Sequence, residues 1–247
     1  MGTFVLVHGG WSGGWCWDKV VPLLEEAGHE AHAPDLPGSG EDPTPIREVS
    51  LQGYADRISG VLDAQPEPVV LVGHSSGGVA ISQAAEQRPD KVELLVYLAA
   101  FLLRDGESLF EVGENETGSL VLPNLVMSED GASATIREDV VVEALLHDCS
   151  EEDAERAKAR FAPQALAPFA TPLSLTEENF GRVPRVYIEA LKDRTISPWL
   201  QKEMYERMPC RKVISMDTGH LPFYAAPEEL AGHLTSLLAR AGRGGAG

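Results

Sequence analysis

Basic residues are scarce in this sequence. Its 247 residues include 20 Lys+Arg against 38 Asp+Glu, a formal net charge of −18. A chain of that sign is repelled by phosphate backbones and gains nothing from an anionic membrane surface. General nucleic-acid binding and electrostatic membrane attachment are therefore excluded. Cysteine is scarcer still, with Cys16, Cys149 and Cys210 the whole complement. An odd, widely spaced set is no disulfide framework, and no CxxC or Cys/His spacing predicts a zinc site. No apolar run approaches the ~20 residues of a membrane span. The N-terminus shows no basic stretch ahead of an apolar one and no small-residue cleavage site. Leu6 stands where a myristoylation signal needs Ser or Thr. The expectation is a cytoplasmic protein.

What is present is ordinary globular material. Hydrophobic residues make up 43% and charged residues 23%, too apolar for disorder and ample for a core. Short apolar runs alternate with helical patterns. Strands are predicted at 3–9, 29–35, 68–74, 92–100, 184–191 and 211–216. Helices are predicted at 18–28, 51–64 after the cap residue Ser50, 77–88 before Pro89, 198–208 and 227–241. This alternation predicts an α/β fold, a mostly parallel, doubly wound sheet of about six strands.

The rhythm breaks at 104–180. That stretch offers only short helical candidates, at 137–148 and 151–161, followed by Pro163, Pro168 and Pro172. It holds 17 acidic and 5 basic residues, a net of −12 within the −18 of the whole chain. It is expected to be a mainly helical cap, or lid, inserted between core segments 1–103 and 181–241. Residues 242–247, GRGGAG, are expected to be a flexible tail.

The strand at 68–74 runs directly into Gly73-His74-Ser75-Ser76-Gly77, and a helix follows at once. G-x-S-x-G between a strand and a helix is the context that exposes a nucleophilic serine on a sharp turn. Flanking glycines relieve crowding, and the helix N-terminus supplies free N–H groups and a positive dipole end. Ser75 is the candidate nucleophile, and Ser76 contributes its backbone N–H. After the first strand, His8-Gly9-Gly10-Trp11 forms a second turn able to aim an N–H at a carbonyl oxygen under attack. Chain order then calls for an acid and a histidine after later strands. Asp193 follows the strand at 184–191, and His220 follows the strand at 211–216. Asp217 is the rival acid because it lies near His220 in sequence. His8 and His74 are expected to orient loops, whereas His29, His32, His147 and His233 read as surface or cap residues. Apolar residues of the inserted stretch, Phe110, Leu122, Leu125, Met127, Leu145, Phe161, Leu166 and Phe169, either line a pocket or form that segment's own core.

The strings LVHGGWSGGWCWDKVVPLLEEAGHEAHAPDLPGSGED and LVGHSSGGVAISQAAEQRPDKVELLVYLAAF resemble the α/β-hydrolase superfamily. More narrowly they are similar to its methylesterase and hydroxynitrile lyase branch, which has bacterial esterase members. FGRVPRVYIEALKDRTISPWLQKEM and DTGHLPFYAAPEEL carry the resemblance toward the C-terminus, and it is weakest between about 105 and 175. It implies an α/β-hydrolase fold with Ser75 as nucleophile, Asp193 as acid and His220 as base. It also implies an oxyanion hole made by the N–H groups of Gly10 and Ser76. Lyase members typically carry Thr after the first-strand histidine and Lys after the catalytic histidine. Here those positions are Gly9 and Leu221, so the resemblance implies hydrolysis rather than cyanohydrin cleavage.

The expected activity is a serine carboxylesterase acting on a neutral, hydrophobic or aromatic ester, with no metal and no organic cofactor. Gly9, Trp11, Phe101 and Leu221 are the expected pocket positions. A small-molecule ester is the expected partner, with no nucleic acid and no membrane, and the chain is expected to be a monomer or homodimer. The alternatives are a hydroxynitrile lyase-type C–C lyase, a carbamate or amide hydrolase, and a non-catalytic ligand receptor on the same fold.

Overall fold

A computed structural model of the chain describes residues 1–241, with side chains through Leu238. The tail expected at 242–247 lies outside the described residues. The strands are β1 (Thr3–Val7), β2 (Glu30–His32), β3 (Val69–His74), β4 (Val92–Leu98), β5 (Leu125–Met127), β6 (Ser133–Ile136), β7 (Gln164–Ala165), β8 (Arg185–Ala190) and β9 (Lys212–Met216). The helices are α1 (Val20–Glu26), α2 (Leu51–Asp63), α3 (Gly77–Gln87), α4 (Leu109–Gly113), α5 (Glu138–Val141), α6 (Glu151–Lys158), α7 (Ala167–Ala170), α8 (Pro198–Arg207), α9 (Pro222–Ala225) and α10 (Pro227–Ala241).

Six strands form one sheet in the order β2-β1-β3-β4-β8-β9, with every neighbouring pair parallel. Successive side chains of a strand face opposite ways, and both faces here are covered. Val5, Val7 and Leu71 pack with Ile58 of α2, Ile81 of α3 and Leu200 of α8. Phe4, Leu6 and Val70 pack on the other face with Leu24 of α1 and Leu234 of α10. All six residues of β3 are buried, which accounts for its unbroken apolar run. Helix α2 begins where its cap predicts, Ser50 Oγ accepting the Gly53 N–H at 3.0 Å. The edge strand β2 is shorter than the expected 29–35, because only residues 30–32 pair with β1.

Residues 104–180 differ from the expectation of a mainly helical segment in one respect. Besides short helices they contain a three-stranded antiparallel sheet, β5-β6-β7. Strands of two to four residues are too short for alternation to be read. The helix expected at 137–148 changes at Val142 into a π-helical turn, Val142–Leu146, after three consecutive β-branched valines that crowd an α-helical backbone. Helix α4 is closed by a capping box between Ser108 and Glu111, and α6 by Ser150.

The acid of this segment has partners in the rest of the chain. Asp153 meets Lys19 at 2.6 Å, Asp130 meets Arg47 at 2.5 Å, and Glu143 meets Arg194 at 3.6 Å. Glu107 pairs with Arg207, and in the reverse sense Arg156 pairs with Asp18. Among the described residues no helix is long and apolar enough to cross a membrane.

Candidate active site

Ser75 sits where β3 ends and α3 begins, at φ +54°, in the left-handed region that L-residues seldom occupy. The surrounding turn is packed backbone against backbone. A Cβ on Gly77 would fall 2.6 Å from His8 O, one on Gly73 2.8 Å from Ile81 Cδ1, and one on Gly78 2.3 Å from Phe101 O. Glycine at these positions is what lets the strand, the turn and the helix meet. Ser75 is further held by its N–H to Leu98 O at 3.3 Å, while its carbonyl accepts the Phe101 N–H at 3.0 Å.

His220 Nε2 lies 3.0 Å from Ser75 Oγ, and His220 Nδ1 lies 2.7 Å from Asp193 Oδ2. All three residues are buried. Asp193 Oδ1 also accepts the N–H groups of Thr195 at 2.7 Å and Ile196 at 3.0 Å. With Asp193 accepting, Nδ1 carries the imidazole proton, and the Ser75 hydroxyl donates to the lone pair on Nε2. Asp217, the rival acid, is exposed and paired with Lys192 at 2.7 Å.

Two turns face one another across Ser75. A Cβ on Gly10 would lie 3.6 Å from Ser76 Oγ, so the turn after β1 comes close to the residue that follows Ser75. The Trp11 N–H is taken by Gln164 Oε1 at 3.3 Å. Gly9 was expected on the pocket wall, but it lies beneath the serine instead. A Cβ there would fall 2.7 Å from Ser75 Cβ and 2.9 Å from His74 Nδ1. Gly9 borders neither cavity beside Ser75.

Those cavities are small. The first is bordered by His220, Leu221, Leu145, Phe161, Phe223 and Tyr224. The second is bordered by Ser76, Phe101, Phe110, Leu122, Leu125 and Phe169. Trp11 borders both. The centre of a water-sized sphere has about 10 Å³ to move in within the first and about 30 Å³ within the second. Most apolar residues singled out in the inserted stretch therefore face the site, whereas Met127 is exposed and Leu166 belongs to the core. Cys16 also borders the first cavity, and burial pushes its thiol well up, so it stays uncharged. Among the described residues no three His, Cys, Asp or Glu side chains cluster as metal ligands.

Supporting residues surround Ser75, His220 and Asp193, and two of these supports, Gln201 and Asp148, carried little sequence signal. Buried Gln201 of α8 donates from Nε2 to Asp193 Oδ2 at 3.2 Å and to Ile196 O at 2.7 Å. His74 Nε2 donates to His220 O at 2.8 Å. Burial and then the nearby His220 hold the His74 imidazole well below the ordinary histidine range, so it is a neutral donor. Asp148, from the inserted segment, accepts the Gly219 N–H on Oδ2 at 2.5 Å. The carbonyl of His220 and the amide just before it are thus both held. His8, lowered by burial, donates from Nδ1 to Gly9 O at 2.8 Å and accepts the Leu36 N–H at 3.1 Å. His8 and His74 orient loops, as their sequence positions suggested.

The model of the alpha/beta hydrolase family matches residues 4–233, nearly the whole described chain. The chain belongs to the alpha/beta hydrolase family. This hydrolase is 35% identical to Methylesterase 2 of Arabidopsis thaliana, over 95% of each chain. It is 35% identical to a pyrethroid hydrolase of Sphingobium wenxiniae, covering 92% of this chain and 84% of that one. It is 34% identical to putative methylesterase 11, chloroplastic, of Arabidopsis thaliana, where 92% of this chain spans 61% of the relative's length. Among solved structures it superposes on a pyrethroid hydrolase from Sphingobium faniae JZ-2 with a TM-score of 0.85 and 30% identity, covering 98% of both chains. It superposes on polyneuridine aldehyde esterase with a TM-score of 0.87 and 29% identity, covering 96% and 99%.

Proposed function

We propose that this alpha/beta hydrolase is a serine carboxylesterase that works through an acyl-enzyme. The observation that carries the reading is the unbroken hydrogen-bonded line from Ser75 Oγ through His220 to Asp193, starting at a strained strand-to-helix turn. The esterase and hydrolase names of the relatives support the same reaction class.

His220 Nε2 takes the Ser75 proton as Oγ attacks the ester carbonyl, and Asp193 stabilises the imidazolium that forms. The N–H groups of Gly10 and Ser76 receive the developing oxyanion. His220 then returns the proton to the departing alcohol, and water cleaves the acyl-enzyme with the same base. The alcohol must leave beside Nε2, past His220 and Leu221. The acyl group belongs in the cavity of Phe101, Phe110 and Phe169.

Hydrolysis is favoured over cyanohydrin cleavage by two positions. Leu221, buried and apolar, offers no cation to a leaving cyanide. Gly9 has no side chain to hold a cyanohydrin hydroxyl, and its contact with Ser75 leaves no room for one. Among the described residues neither cavity is bordered by Lys or Arg. Burying an anionic substrate without a partner is costly, so the substrate is a neutral ester. The test is p-nitrophenyl acetate turnover with fluorophosphonate labelling. Wild type should turn over and label while Ser75→Ala does neither. Equal labelling of both proteins would remove Ser75 from its role, and cyanide release from mandelonitrile above background would replace the esterase by the lyase.

A further inference from the structure

Trp11 follows Gly10 with φ +60°, a left-handed backbone that a bulky residue keeps only when its surroundings impose it. The inserted segment imposes it. The Trp11 N–H donates to Gln164 Oε1 at 3.3 Å, its Nε1–H donates to Ala134 O at 2.9 Å, and its carbonyl accepts the Ala162 N–H at 2.9 Å. Its ring meets Phe169 edge-on, with centroids 6.3 Å apart. An indole fixed on so many sides is a wall rather than a mobile cover.

Trp11 divides unequal spaces. An outer pocket bordered by Thr135, Ile136, Val141 and Lys158 leaves about 220 Å³ for the centre of a water-sized sphere. The two cavities beside Ser75 leave about 10 and about 30 Å³, room for little more than ordered water. Trp11 borders all three spaces. The room a long substrate arm needs therefore exists in a space that shares Trp11 with both serine cavities and Phe161 with the first of them.

We propose that Trp11 is a specificity-determining residue: its indole separates the outer pocket from the Ser75 cavities and limits the substrate to esters of short acyl chain. This rests on the hydrolase reading of Ser75. Removing the indole joins the outer pocket to the acyl cavity. Chain-length preference then shifts, because each added methylene finds apolar surface instead of a wall.

The experiment compares p-nitrophenyl acetate with p-nitrophenyl octanoate in wild type, Trp11→Ala and Trp11→Phe. Trp11→Ala should raise the octanoate-to-acetate ratio of kcat/KM about tenfold or more. Trp11→Phe keeps a ring but loses the bond to Ala134 O, and should stay within about threefold of the wild-type ratio. An unchanged ratio in Trp11→Ala overturns the proposal. So does a Trp11→Phe ratio as high as that of Trp11→Ala, since the bond to Ala134 and not the ring would then set the preference. Failure of the hydrolase reading shows separately, as no p-nitrophenol release by wild type at any chain length. In that event 1-naphthol binding, followed by its fluorescence in a Ser75→Ala background, decides the wall alone. About tenfold tighter binding with Trp11→Ala supports the wall, and equal binding overturns it.

Discussion

The turn after β3 and the inserted segment 104–180 are held in opposite ways. Around Ser75 the backbones of β1, β3 and α3 touch, and three glycines have no room for a methyl group. In the inserted segment the elements are short, and buried apolar side chains such as Leu145 and Phe169, ion pairs and single hydrogen bonds join them to the sheet domain. Gly113 there has only Leu122 Cδ1 at 3.4 Å from its Cβ position. The turn proposed to carry the chemistry is fixed by backbone sterics, while the inserted segment is held by side-chain packing, ion pairs and single hydrogen bonds. A protein built this way can change its substrate without rebuilding its site.

The largest effect should come from the rigid region. Ser75→Ala should lower kcat by about 10⁴–10⁶-fold, and Asp193→Asn by about 10⁴-fold, with thermal midpoints near wild type. A loss of only tenfold would place the chemistry elsewhere. Next, Gly78→Ala should cost about 2–3 kcal/mol through overpacking against Phe101 O, read as a midpoint lowered by roughly 5–10 °C. Gly113→Ala should change stability by less than about 1 kcal/mol. Equal costs at the two glycines would erase the contrast between the regions.

Acid should separate the regions as well. His8 and His74 are lowered by burial, so they stay neutral in the fold while their unfolded counterparts gain protons below pH ~6.5. The unfolded state then binds more protons, and stability falls with falling pH by up to about 1.4 kcal/mol per unit for each histidine. That loss continues down to the folded pKa. Asp153 of the inserted segment is shifted down: burial opposes the shift, but hydrogen bonds from Lys19 and Ser150 outweigh it. Its contribution is present above pH ~4 and lost only as the pH falls through its folded value. Urea midpoints from pH 7 to 5 should therefore decline in wild type and decline less steeply in His74→Asn. A flat wild-type profile would contradict the buried, neutral histidines.

The smallest expected effect crosses the boundary. Asp148→Ala should lower kcat about tenfold with KM little changed, because Gly219 loses its acceptor while the cavities stay intact. Asp148→Asn keeps an acceptor and should recover most of the rate. A change in KM alone would make Asp148 a wall residue rather than an anchor for the His220 loop.

The sheet was legible because its inner strands β1, β3, β4 and β8 are mostly buried, largely apolar runs, whereas the edge strands β2 and β9 are more exposed. The convergence of Ser75, Asp193 and His220 was legible because a motif and chain order name positions at the ends of parallel strands. The inserted segment was legible only in outline. Two-residue β7 and the π turn at Val142–Leu146 arise from contacts and not from periodicity. Gln201 and Asp148 escaped notice for the same reason: a polar residue in a helix or a loop looks the same in sequence whether it faces water or a neighbouring loop. Gly9 shows the converse error. A residue without a side chain suggests open space, but its missing Cβ is filled by Ser75 itself.

The hydrogen bond from His74 to the His220 carbonyl joins the end of β3 to the loop after β9, 146 residues away in sequence. Their rings also lie 4.7 Å apart. The residue before Ser75 and the loop bearing His220 are therefore one mechanical part. Anyone grafting this centre onto another sheet would have to move residues 73–78 and 217–221 together. A graft of the serine turn alone would carry Ser75 into a scaffold that has no hold on His220.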